Sequence, residues 1–178
     1  MIVAHVSVTT APDYLTRREP FRREHIERLA RLRAAGTLVA GGPDPEGRTV
    51  DLVYRLSRPE DLGPLMAEDP YSRGQAWTGH SSREFSLFVE PWEAPPIVLD
   101  GSRRATIVEG PAADTDMAQL ALVELRGAGR LVLGGAFPDG QTLAVLRSAD
   151  PAEAVRWLTA TEAWKAGSLT ARPFLYVL

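Results

Sequence analysis

Residues 35–42 read Ala35-Gly36-Thr37-Leu38-Val39-Ala40-Gly41-Gly42, and residues 128–135 read Ala128-Gly129-Arg130-Leu131-Val132-Leu133-Gly134-Gly135. The two stretches lie 93 residues apart. The same offset carries Pro45 onto Pro138, Gly47 onto Gly140, Thr49 onto Thr142, Glu60 onto Glu153, Leu65 onto Leu158 and Gly74 onto Gly167. Over residues 24–74, about 16 of 51 ungapped positions are identical, which marks an internal tandem duplication. Stacked solenoids need three or more units, so two copies imply two halves of one closed structure. The expected division is a first half at 1–93, a linker at 94–101 signalled by Pro95 and Pro96, and a second half at 102–178.

Working outward, residues 1–9 carry Ile2, Val3, Val6 and Val8 and read as a strand. From Glu19 to Ala35, Phe21, Ile26, Leu29, Ala30 and Leu32 recur at helical spacing and Gly36 follows as a stop. Leu38–Ala40 is a short strand running into a turn-rich stretch at 41–47, and Val50–Leu56 is the next strand. Ser57 and Glu60 form an S-x-x-E capping box that opens a second helix carrying Leu62, Leu65 and Met66 inward. Phe85–Val89 closes the half. The second half repeats the order with strands at 105–108, 131–134, 143–146 and 174–177 and helices at 117–128 and 152–166. Each half is therefore β-α-β-β-α-β, the ferredoxin-like arrangement. A sheet covered by helices on one face needs a partner for the other. The fold class expected is α+β, two ferredoxin-like halves forming an intramolecular pseudo-dimeric α+β barrel.

Composition narrows the function classes. The net charge of −3 gives no electrostatic reason to expect nucleic acid or an anionic membrane as a partner. The arginines of residues 17–33 alternate with Glu19, Glu24 and Glu27, the pattern of a solvated helix face. There is no cysteine, which excludes disulfides, thiolate catalysis and cysteine-ligated metal. No window has the length of a membrane span and the first residues carry no positive leader, so a cytoplasmic chain is expected. Three histidines without H-x-H or H-E-x-x-H spacing give no metal site. The glycine pairs 41–42 and 134–135 do not follow G-x-G-x-x-G and read as turns.

The titratable residues that remain are few. His25 precedes Leu29 by four positions, and Asp69 follows Leu65 by four, so both face the apolar side of their helices. The offset places Ala118 opposite His25 and Glu162 opposite Asp69, so the first half holds a pair that the second has lost. A His–Asp contact orients the imidazole and fixes its tautomer for acid/base work. The residues alone leave a second reading open, in which His25 is structural and Asp69 simply ends a helix before Pro70. His5, in phase with Val3 and Ser7, either lines a pocket or bonds a sheet neighbour, and His80 falls in a surface loop.

The first strand, Arg22-x-x-His25, the A-G-T-L-V-A-G-G-P turn at 35–43, Ala67-Glu68-Asp69-Pro70-Tyr71, and Val89-Glu90-Pro91-Trp92 together resemble the YCII-related (YciI-like) family over roughly residues 1–92. The resemblance implies a dimeric α+β barrel of ferredoxin-like subunits in which His25 and Asp69 are the active-site pair. Arg22 and Tyr71 match further motif positions, implied here as substrate-binding residues; His5 is a further substrate-binding candidate from its phase on the first strand alone. The family includes a dehydrochlorinase acting on a chlorinated hydroxyquinol, and relatives of the barrel include isomerases and monooxygenases. The second half resembles a degenerate copy. The expectation is a small-molecule enzyme with one site per chain and no organic cofactor, performing elimination, isomerisation or hydrolysis on a small cyclic or aromatic substrate. The alternative is a non-catalytic ligand-binding or accessory module on the same barrel. Apolar surface left over can pair two such chains into a homodimer.

Overall fold

The computed structural model describes residues 1–91, 96–165 and 167–178, arranged in two compact units. Trp92 and the start of the expected linker at 94–95 lie outside the described residues. The first unit comprises Met1–Glu84, residues 96–99 and Tyr176–Leu178; the second comprises residues 85–91 and Asp100–Leu175.

The first unit is built on β1 (Ile2–Thr10), where Ala4, Val6 and Val8 are buried on the helix side. Helix α1 (Tyr14–Arg18), a 3-10 turn at Glu19–Phe21 and α2 (Arg22–Ala34) follow, so the single helix expected at 19–35 is broken around Pro20. Proline has no amide to continue the helical ladder. β2 (Leu38–Pro43) and β3 (Thr49–Leu56) form a hairpin. A 3-10 turn at Pro59–Asp61 leads into α3 (Leu62–Ala67), α4 (Pro70–Arg73) and β4 (Trp77–Glu84). The antiparallel order β2-β3-β1-β4 is the ferredoxin-like one. Leu29, Leu62 and Met66 pack with Val6, Leu52 and Tyr54 in one core on the helix face.

The second unit contains β5 (Ser86–Val89), β6 (Arg104–Pro111), α5 (Thr115–Gly127), β7 (Leu131–Ala136), β8 (Gln141–Leu146), α6 (Pro151–Thr159) and β9 (Thr170–Leu175), in the order β5-β7-β8-β6-β9. Its core joins Leu122 and Leu125 of α5 to Leu131, Leu146 and Leu158. Both halves are thus α+β and ferredoxin-like, as the sequence predicts.

Three sequence expectations need correction. The capping box lies one residue later than expected, because Pro59 fixes the first helical position and makes Arg58 the N-cap; Asp61 then returns a carboxylate bond to the Arg58 amide at 3.0 Å. The helix expected to reach residue 166 ends at Thr159, and the last strand starts at Thr170. The ungapped offset also fails after the hairpins. Leu38 faces Tyr54, whereas Leu131 faces Leu146, one residue nearer in sequence. The second hairpin loop is shorter by one, so beyond it Pro59 corresponds to Pro151, Met66 to Leu158 and Asp69 to Thr161 rather than Glu162.

The glycine pairs are not turns. Gly41 and Gly42 lie in β2, and Gly134 and Gly135 lie in β7. Each strand receives a further segment along its edge. β5 pairs antiparallel with β7, Leu87 opposite Gly135, so residues 85–91 belong to the second unit and the chain does not divide at residue 93. On β2, Gly41 accepts from Val177 and Leu178 at 3.1 Å each and donates to the Leu178 carbonyl at 3.3 Å. A Cβ on Gly135 would overlap the Ser86 carbonyl oxygen, backbone that cannot move aside without breaking the pairing. The halves have therefore exchanged segments.

Candidate functional site

Pro70 decides the local chain path. The residue before a proline is pushed out of the helical region, and Asp69 is extended at φ −65° and ψ 133°. α3 therefore stops, and Asp69 caps α4 instead of continuing along the stripe of Leu65 and Met66. Its Oδ1 accepts the Tyr71 amide at 2.9 Å. α2 sets His25 opposite, and His25 Nδ1 donates to the same Oδ1 at 2.8 Å. Arg28, one turn further along α2, donates to Asp69 Oδ2 at 3.4 Å and to the Leu65 carbonyl at 2.8 Å, capping the end of α3.

Asp69 is 1% exposed and His25 5%. A carboxylate buried this deeply needs donors, and it has three. Because the carboxylate only accepts, the neutral imidazole carries its proton on Nδ1 and keeps its lone pair on Nε2. Nε2 has no hydrogen-bond partner among the described residues. Tyr71 stacks on the imidazole at 3.7 Å and 14°, and Trp77 meets the histidine edge-on at 5.1 Å. Tyr14 completes the cluster edge-on to Tyr71 at 5.9 Å.

The hydroxyls around the pair remain protonated. Burial pushes Tyr71 well above the ordinary tyrosine range, with Tyr14 adding to the shift and Arg18 and Arg22 opposing it. Burial also raises Tyr14 against the pull of Arg18, and raises Tyr54, where the Asp69 charge adds to the effect. These phenols are therefore not tyrosinate bases. Arg22, half-buried at the start of α2, is the residue of the Arg-x-x-His motif whose charge reaches Tyr71.

Of the residues singled out in the sequence, His25, Asp69, Tyr71 and Arg22 are gathered on the helix face of the first unit. His5 is not among them. It lies on the opposite face of β1, where Nε2 bonds Asp51 Oδ1 at 2.8 Å, and Ser7 donates to the same oxygen at 3.1 Å. Trp77, whose indole walls the site, carries no signal in the sequence, because it adjoins residues 78–82, which read as a surface loop; they belong to strand β4, and His80 lies on it. Beyond Trp77 lies a cleft of about 230 Å³ between α3, α4 and β4, which does not include His25 or Asp69.

The second half holds no counterpart. Ala118 is fully buried at the position of His25, and Trp164 packs in the same cluster, donating to Thr142 Oγ1 at 2.8 Å. Among the described residues there is no group of three or more metal-ligating side chains, and no helix is long and apolar enough to cross a membrane.

By sequence, no family profile and no characterised protein matches the chain. Solved structures do. A candidate monooxygenase from Lactobacillus acidophilus NCFM superposes with a TM-score of 0.61 at 11% identity, covering 99% of this chain and 94% of that one. The likeness is one of fold. A candidate monooxygenase from Fusobacterium nucleatum subsp. nucleatum ATCC 25586 aligns at TM-score 0.55 and 9% identity over 99% and 92% of the two chains. A heme-binding protein from Thermus thermophilus aligns at 0.52 and 13% over 98% and 90%. The chain thus shares the α+β fold of these structures, with both units inside the aligned length.

Proposed function

We propose that the chain is a small-molecule enzyme of YciI type whose first half holds the site. His25 is its general acid/base, Asp69 orients the ring, and Arg22 with the Tyr71 hydroxyl receives a substrate oxygen. The observation that carries this reading is the 2.8 Å Nδ1–Oδ1 bond, which fixes the tautomer and leaves Nε2 as the reactive nitrogen. The reaction class is proton transfer coupled to elimination, isomerisation or hydrolysis of a small cyclic or aromatic compound. The matched order of elements in the halves supports a tandem duplication in which the second copy exchanged its acid/base pair for apolar packing.

The near-complete burial of His25 favours a second reading, a binding module in which the pair is structural. Turnover separates the two. Hydroxylated and chlorinated monocyclic compounds are incubated with the protein and products followed by NMR. A compound consumed by the wild type and left intact, by a factor of about 10² or more, by His25→Ala supports the enzyme. A compound that raises the melting temperature yet returns unchanged supports the binding module.

A further inference from the structure

We infer that the cleft between α3, α4 and β4 is a binding site for a single aromatic ring bearing a hydroxyl group, separate from the His25–Asp69 pair. One glycine argues that the space is deliberate. Gly63 lies in α3 with an ordinary negative φ. A Cβ there would meet nothing within 4 Å. Neither backbone conformation nor packing calls for glycine, and within a helix glycine costs stability. What the residue accomplishes is to leave the cleft open on the helix side.

The lining states the ligand's chemistry. Trp77 and Met66 supply a flat indole and a polarisable thioether, surfaces suited to an aromatic ring. Val8 closes the floor. In the β1–β4 ladder Val8 pairs with His80, so the imidazole shares the helix-side face and, being exposed where Val8 is buried, stands at the lip. His80 and the Ser72 hydroxyl line the cleft and can bond a hydroxyl on the ring; the Thr78 hydroxyl already donates to the Thr9 carbonyl at 3.1 Å. A volume of about 230 Å³ exceeds the roughly 150 Å³ that admits benzene and falls short of the roughly 300 Å³ at which drug-sized pockets begin. One substituted ring fits. Trp77 is the wall common to cleft and cluster, 5.1 Å from the His25 ring, but the inference stands whether or not His25 reacts.

The test uses phenol as probe on the full chain, with toluene and cyclohexanol as controls, followed by amide, indole and imidazole NMR. Phenol should shift the His80 ring, the Trp77 indole N–H and the amides of Gly63 and Gly79, and bind several-fold more tightly than either control. Gly63→Leu, which fills the cleft from the first turn of α3, should weaken phenol roughly tenfold while leaving the fold intact, since leucine is the better helix former. Ala67→Leu does the same from the last turn of α3, so one filled variant should fold even if the other does not. His80→Ala should abolish the preference for phenol over toluene. Shifts confined to other residues, or phenol binding undiminished in a folded, filled variant, would overturn the proposal.

Discussion

The His25–Asp69 contact can be weighed by a double-mutant cycle. His25→Ala removes the bond to Asp69, the Tyr71 stack and the edge contact with Trp77, leaving a cavity among buried rings. A cost of about 3 kcal/mol is expected, the low end for losing a buried ring. Asp69→Ala removes the cap on α4, worth about 1 kcal/mol. It also strips the partly buried Arg28 of an anionic acceptor and orphans the histidine N–H, adding roughly 2 kcal/mol. Cap, stack and Arg28 losses occur equally in the single and double variants and cancel in the cycle. What remains is one hydrogen bond to a buried carboxylate, worth about 1.5–3 kcal/mol. The double variant should therefore cost about 4 kcal/mol, not the additive 6. Denaturant unfolding by far-UV circular dichroism and tryptophan fluorescence measures each corner. A coupling below about 0.5 kcal/mol, the value for residues that do not touch, would refute the account of a dyad.

Gly135→Ala should expel β5, because the added methyl overlaps the Ser86 carbonyl; losing the burial of Val89 and two or three ladder bonds, less the freed chain entropy, lowers stability by about 2–4 kcal/mol and exposes residues 85–91 to protease. Stability and proteolysis matching wild type would contradict the strand assignment. Removing residues 176–178 should cost a similar amount in the first unit, since Leu178 is buried there and Gly41 loses its partners, and a Tyr54 or Trp77 NMR environment identical to wild type would count against it. Tyr14, Tyr54 and Tyr71 all have folded values raised above the unfolded one, so folding favours their neutral form. Their contribution is complete below about pH 10 and declines as pH rises beyond it. Tyrosinate absorbance from these residues should accordingly appear together with loss of near-UV dichroism, and a reversible titration of every tyrosine near pH 10 with the fold intact would be the contrary result.

Much of this architecture could be read from the chain, and the failures have causes. The helices around Leu29 and Leu122 and the strands around Leu52 and Val145 are amphipathic or continuously apolar, and such patterns survive translation into structure. β4 was invisible because Thr78, Gly79, His80 and Ser81 are all exposed on an edge strand, with no alternation to mark it. Gly134-Gly135 reads as a turn in any local window, since the residue that makes glycine necessary, Ser86, is distant in sequence. The pairing of His25 with Asp69 was legible, but the means was not: Asp69 reaches its partner by ending one helix and starting another, a consequence of Pro70. The slip from Glu162 to Thr161 lay in a loop one residue shorter, which an ungapped comparison conceals.

The exchanged segments bear on how the chain is made. During synthesis the first ferredoxin-like half leaves the ribosome early, yet its β2 edge stays bare until Val177 and Leu178 emerge. The second half has the opposite timetable, with β5 waiting in solution for a sheet not yet translated. The first half cannot be finished before residues 176–178 are out, so its completion waits on synthesis of the second half. The same dependence means that a nascent chain exposes a glycine-lined strand edge, open to a neighbouring copy emerging from the same message.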